Sequence, residues 1–498
     1  MSDTTGSSPT STPLTAATAA SASDPNAVVS VSFTEAADQS KVTGGTAYVR
    51  TSTMANGAKV ARTEEYPAGD GSGASYKLPV ATKEVLGGIM PDGKTVSVSE
   101  AGVLSVIDSG DDDNNGGSTT SNSLLYNWNP AKQLANFRKA QIGVLGAVAG
   151  SQCRIACVGD STTAGVGSGT AGKEDKDQLR VNSYPAQLAA DLAARGFPTS
   201  FDNFYGSLNI GDDTDPVTRV DDRVTFTGTG KWGSVASLGS NAITLEPGDT
   251  AVFTPTSDLS YDQFALAYVD HNTTGQVSVQ MGTQTAQNSA VFTGTNNTLQ
   301  QVFTFATAGS GASAAITIKN TGPGEIYIPG GELWNSKTPY ITICNCGDAG
   351  ALSTDVLGTA SGYNPAGSLL ALKFNLVLGN VGINDINSQS STGATITNGI
   401  AATLTALKAA GTDVIMAVPQ PFTSDNYATL LPDLRTALEA QAKTIDYGLI
   451  DLSAAYNDNV TALGSLMYNN LHPTRALYGD IARLWLAAIA PPSLAVVI

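Results

Sequence analysis

Ser161 lies in Val158-Gly159-Asp160-Ser161-Thr162-Thr163-Ala164-Gly165, a run of small residues that follows a short apolar stretch. A serine placed there sits on a tight turn at a strand end, where its hydroxyl is presented as a nucleophile. Serine catalysis needs a base to take the hydroxyl proton, and the chain has two histidines, His271 and His472. His472, in Asn469-Asn470-Leu471-His472-Pro473 just ahead of a helical pattern, is the candidate base. His271 stands among turn residues in Asp270-His271-Asn272-Thr273 and reads as a surface residue. The negative charge that develops on an attacked carbonyl needs donors aimed at it. The backbone N–H of Ser161, the N–H of Gly350 and the side-chain amide of Asn384 are the candidates.

Strands and helices must bring these distant residues together. Arg154 to Val158 reads as a buried strand, the Ser161 turn follows, and Tyr184 to Arg195 has helical spacing through Leu188 and Leu192. Tyr340 to Cys344, Asn375 to Val381, Asp413 to Val418 and Gly448 to Leu452 read as further strands. Ile396 to Ala410, Asn426 to Thr444 and Arg475 to Ala488 read as helices. This alternation predicts a five-stranded parallel α/β sheet, whose strand carboxyl ends are where ligands bind. Ser161, Gly350, Asn384 and the His472 loop all fall at or after such ends. Residues 202–338 break the alternation with short β runs such as Val252-Phe253-Thr254 and Ile316-Thr317-Ile318, which predicts an inserted β-sandwich.

The expected organisation is a disordered 1–27, a β-rich module over 28–108 and a flexible acidic linker over 109–123. The α/β domain follows over 124–201 and 339–498, split by the insert. With 498 residues the chain can bury a large core. A net charge of −17 opposes nonspecific binding to nucleic acid or an anionic membrane surface. Met1 to Pro25 has neither a basic nor an apolar region of a secretory signal, and no run is long enough to span a bilayer, so a soluble protein made in the cytoplasm is expected. Cys153/Cys157 and Cys344/Cys346 lie at even spacing in strand-like runs, each pair on one sheet face, and read as buried and reduced rather than metal-binding. Gly167 to Lys173 imitates a phosphate loop, but Glu174 stands where a Ser/Thr belongs. Asp111 to Gly116 imitates the front of a calcium loop, but position twelve is Asn122. No cofactor or metal is expected.

Four segments together resemble the ordered blocks of the SGNH (GDSL-like) hydrolase family: Gly159-Asp160-Ser161-Thr162, Asn345-Cys346-Gly347-Asp348-Ala349-Gly350, Gly382-Ile383-Asn384-Asp385 and His472-Pro473. The resemblance covers roughly Leu124 to Pro491 without the insert. It implies a flavodoxin-like parallel sheet, Ser161 as nucleophile, His472 as base, and Gly350 and Asn384 in the oxyanion hole. Gly206, in Asn203-Phe204-Tyr205-Gly206, is a second choice for the block-two glycine. The chain departs from the family at Asn469, where the last block has Asp three residues before the histidine. Asparagine can accept the imidazole N–H but cannot stabilise the imidazolium by charge. Three outcomes stay open: a Ser-His dyad helped by a backbone carbonyl, a carboxylate from elsewhere such as Asp458 or Asp480, or a domain that only binds.

Leu78 to Ile89 followed by Val96 to Val106 looks like a segment common in bacteriophage tail fibres and tailspikes. That resemblance implies a virion-attached homotrimer, joined to a tail or baseplate component through the N-terminal module. With the interrupted SGNH pattern it leads to the expectation of a tailspike-type esterase removing O-acetyl groups from bacterial surface polysaccharide. A non-catalytic glycan-binding protein and a bacterial extracellular esterase or lipase are the alternatives.

Overall fold

The structure, a computed structural model, describes residues 124–169, 181–208, 221 and 223–490, and the backbone of five strands between Val28 and Val106. The chain divides into two units, Met1–Thr119 and Thr120–Ile498. In the first, Val28–Glu35, Gly45–Met54 and Lys59–Pro67 pair antiparallel in that order, and Val96–Val98 pairs antiparallel with Leu104–Val106. Residues 1–27, the 109–123 linker and Leu78 to Ile89 lie outside the described residues.

The second unit is built on seven strands: β1 (Leu125–Tyr126), β2 (Cys153–Gly159), β3 (Thr199–Ser200), β4 (Ile341–Gly347), β5 (Leu376–Asn380), β6 (Asp413–Val418) and β7 (Gly448–Asp451). Their order across the sheet is β1-β7-β6-β5-β2-β4-β3. The five expected strands form the centre as β4-β2-β5-β6-β7, all parallel, which is the doubly wound order of flavodoxin-like sheets. Two strands of two residues each complete the edges, β3 parallel to β4 and β1 antiparallel to β7. Such short pieces carry too little periodicity to be read from sequence.

The central strands are apolar throughout because both faces are covered. Ala156 and Val158 point to one core and Ile155 and Cys157 to the other. The first face is covered by α5 (Gly393–Ala409) and α6 (Tyr427–Ile445), the second by α1 (Ala135–Leu145), α3 (Tyr184–Ala194) and α7 (Arg475–Ile489). Short α2 (Ser161–Ala164) and α4 (Ile383–Gln389) stand at strand ends. Ile396, Ile400, Leu404 and Leu407 make the buried stripe of α5, and Leu477, Ile481 and Trp485 that of α7. The cysteines are free and buried, Cys153 and Cys157 in one core, Cys344 and Cys346 in the other.

Between β3 and β4 the chain forms two antiparallel sheets. One contains Val224–Thr227, Thr250–Phe253, Ile316–Asn320, Val277–Met281 and Gln287–Asn288. The other contains Lys231–Ser237, Ser240–Leu245, Ile326–Trp334, Tyr261–Val269 and Thr298–Gly309, with Asn203–Tyr205 paired to Ile326–Trp334. They enclose a core of their own that includes Phe204, Trp232, Phe253 and Phe264.

A buried ion pair ties this insert to the sheet. Arg154 on β2 donates from Nε to Glu332 Oε2 at 2.9 Å, and Tyr205 and a second Arg154 nitrogen also bond the carboxylate. Trp334 Nε1 donates to Glu332 at 3.3 Å, and the guanidinium lies 4.3 Å from the centre of the Phe374 ring. Burial works against the Arg154 charge, but attraction to Glu332 outweighs it and holds the guanidinium protonated.

Candidate active site

β2 lies where the order of the sheet reverses, with β4 on one flank and β5 on the other. In a sheet of this order the carboxyl ends of these three strands are where a ligand is expected to bind. Ser161 follows β2 as the first residue of α2, with Asp160 at its N-cap and Oδ1 accepting from the Thr162 N–H at 2.9 Å. Gly350 lies in the turn after β4, and Asn384 in the first turn of α4 after β5.

Backbone and carboxylate bonds fasten these three segments together. The Asp348 N–H donates to the Gly159 carbonyl at 2.9 Å, and Asn384 Nδ2 to the Ala351 carbonyl at 2.9 Å. Asp385 accepts from the Ser353 N–H at 2.9 Å and from its hydroxyl at 2.8 Å, tying the loop after β4 to α4. Among the described residues neither the Ser161 N–H nor the Gly350 N–H has an internal acceptor. The Asn384 amide uses one hydrogen on Ala351 and keeps the other. Gly206 differs, because its N–H is taken by the Pro329 carbonyl at 2.8 Å and its loop is packed on Gly239. It has no free donor to offer. Gly350 has φ +85°, a conformation that favours glycine.

His472 Nε2 lies 2.8 Å from Ser161 Oγ. On the other side of the ring, Nδ1 lies 3.0 Å from Asn469 Oδ1. That oxygen also accepts the N–H of Leu471 at 2.9 Å and of His472 itself at 2.8 Å. Two backbone donors fix which way the amide points, since the opposite flip would set NH₂ against N–H. The oxygen must face Nδ1, so Nδ1 carries the proton and Nε2 is free to accept from the serine hydroxyl. Neither a backbone carbonyl nor a distant carboxylate fills this position. Asp458 is bound to Arg435 and Asp480 to Arg483. Burial, with no carboxylate to oppose it, lowers the His472 pKa to about 4.

Sequence reasoning gave no role to Gly167, whose neighbours are remote in sequence. It has φ +86°, and a Cβ there would come within 2.9 Å of Tyr468 Cβ and 3.1 Å of His472 Cβ, so the bare backbone lets the loop after α2 pack on the histidine. His271 is half-buried rather than on the open surface, its ring stacked on Tyr327 at 4.2 Å between centroids, within the inserted β region. Among the described residues no group of three or more His, Cys, Asp or Glu side chains is placed to hold a metal ion.

No protein-family model and no curated protein matches the chain. Solved structures do. A peptidoglycan O-acetylesterase is similar over 75% of this chain and 99% of its own, at 15% identity and a TM-score of 0.55. A family two carbohydrate esterase from Cellvibrio japonicus covers 58% of this chain and 98% of its own, at 11% identity and a TM-score of 0.24. A carbohydrate esterase family 3 structure from Talaromyces cellulolyticus covers 30% and 70%, at 20% identity and a TM-score of 0.24. The first of these, together with the strand order, shows the fold: a flavodoxin-like parallel α/β sheet with inserted β-rich parts, the fold that the SGNH resemblance implies.

Proposed function

We propose that the chain is a serine carbohydrate O-acetylesterase. The observation that carries this reading is the line Asn469 Oδ1, His472 Nδ1, His472 Nε2, Ser161 Oγ, with steps of 3.0 and 2.8 Å across the ring. His472 takes the proton as Ser161 Oγ attacks the acetyl carbonyl. The oxyanion is held by the N–H groups of Ser161 and Gly350 and by the free hydrogen of the Asn384 amide. His472 then gives the proton to the departing sugar oxygen, leaving an acetyl-serine. Water, deprotonated by the same nitrogen, attacks that ester and releases acetate and the free serine.

The similar structure is a peptidoglycan O-acetylesterase, which supports acetyl as the acyl group and a glycan as its carrier. For this chain the proposed substrate is O-acetylated polysaccharide of a bacterial surface, and the proposed setting a homotrimeric tailspike on a phage virion. The setting is supported by the tail-fibre-like stretches Leu78 to Ile89 and Val96 to Val106. The test is acetate release from O-acetylated surface polysaccharide. Wild-type protein releases acetate and Ser161→Ala does not; equal release by both would overturn the mechanism.

A further inference from the structure

Behind the nucleophile turn lies a buried polar chain that the reaction above does not use. Asp160 is 1% exposed, and its Oδ1 accepts from the Thr162 N–H and hydroxyl at 2.9 and 2.8 Å. Thr162 Oγ1 is 3.2 Å from Asn380 Nδ2, which is 3.4 Å from Gln420 Oε1. Three atoms of this chain are buried with no partner: Asp160 Oδ2, Asn380 Oδ1 and Gln420 Nε2. An ionised carboxylate oxygen in that position is costly, since it has neither a cation nor a donor. Among the described residues Asp160 forms no ion pair.

We propose that Asp160 works as a neutral carboxylic acid, with the proton on Oδ2, so that no fixed negative charge stands beside the oxyanion that forms at the neighbouring Ser161 N–H. Asp160 is then a positioning residue: Oδ1 holds the turn through Thr162, and the proton removes a repulsion. The proton also makes Oδ2 a donor, in a chain whose unpaired atoms include the acceptor Asn380 Oδ1. The groups around it favour the neutral form. Burial is the largest influence and, with Asp385 on α4 adding like charge, raises the Asp160 pKa to about 6 against its two Thr162 bonds. Tyr184 on α3 donates to or accepts from Thr163, Tyr478 on α7 donates to Val166, and burial keeps both phenols neutral. His472 bonds Ser161 Oγ through Nε2, and among the described residues no cation is paired with the carboxyl.

The inference rests on the esterase reading for its kinetic part and stands apart from it for its spectroscopic part. Asp160→Ala, Asp160→Asn and wild type are compared on a small aryl acetate as pH is raised through 6. Asp160→Ala loses activity throughout, and Asp160→Asn, which keeps the shape of the neutral acid, restores most of it at low pH. The ratio of Asp160→Asn to wild-type kcat/KM then climbs, on the order of tenfold, as the wild-type carboxyl ionises. A flat or falling ratio would overturn the proposal, because a charged cap predicts that direction. Infrared difference spectra of the whole protein supply the second readout. The expected result is a protonated-carboxyl C=O band that disappears as pH rises through about 6 and is lacking in Asp160→Asn. No such band in the wild type would overturn the proposal even if the kinetics agreed. Should no variant hydrolyse any acetyl ester, the esterase reading fails, and the infrared band alone decides the state of Asp160.

Discussion

Asn469 Oδ1 stands 3.0 Å from His472 Nδ1 while accepting two backbone N–H groups from the same turn. The asparagine therefore performs the geometric part of an aspartate's role, fixing tautomer and ring orientation, without the electrostatic part. In a serine-protease triad an asparagine at this place costs about 10⁴ in turnover through the wrong tautomer. Here the amide is held the right way round, and the loss is confined to missing charge.

Asn469→Asp should restore that charge. A hydrogen bond to an ionised partner is stronger than a neutral one by about 1–1.5 kcal/mol, so kcat rises about tenfold. The same charge favours the imidazolium and moves the acid limb of the rate profile up by about 1–3 pH units. Unchanged kcat and an unchanged limb in a pH–rate series would refute the assignment.

The wild-type limb itself is unusual. His472 must be neutral to act as base, and its folded pKa of about 4 lies below the ordinary 6.5. Hydrolysis of a small acetyl ester is expected to persist as pH falls through 6.5 and to fail only near 4. Stability follows the same sign: between these values the unfolded chain binds more protons, so the contribution present above 6.5 is lost as pH falls. A kinetic limb at 6.5 would contradict this.

Asn384→Ala removes the proposed oxyanion donor and the bond to Ala351. The expected cost is about 10²–10³ in kcat, with KM changed much less. Steady-state kinetics on one acetyl ester checks the split.

Gly167→Ala places a methyl group against Tyr468 and His472 in a conformation that disfavours any side chain. A shift of the histidine by about 1 Å would lower kcat on the order of a hundredfold while the fold is retained. Circular dichroism beside kinetics separates the two.

Glu332→Ala leaves the Arg154 charge buried without its partner, at a cost of about 3–5 kcal/mol in denaturant unfolding. Replacing both residues by apolar ones of similar size should recover much of that loss. Equal losses in the single and double variants would show that packing rather than charge fastens the insert.

The central sheet was legible because strands buried on both faces are continuous apolar runs, and α5 to α7 because their buried residues recur at helical spacing. The two edge strands and α1 escaped, the strands for their brevity and α1 because Phe137, Gln141 and Val144 mix polar and apolar residues on its buried face. The departure at Asn469 was plain in the sequence, but its consequence depended on an amide orientation set by two N–H groups of the folded turn. Asp458 and Asp480 are held by Arg435 and Arg483 instead of by the histidine. Arg154 read only as the start of a strand. Its partner lies 178 residues away across the insert, a separation no local pattern can bridge.

The central claim is that Ser161 is a nucleophile activated by His472. Mass spectrometry of the protein after exposure to a serine-directed phosphonate tests it most directly. The account predicts one adduct, mapped to the peptide containing Ser161, lost in Ser161→Ala and strongly slowed in His472→Ala. No adduct, or one at another serine, would contradict it.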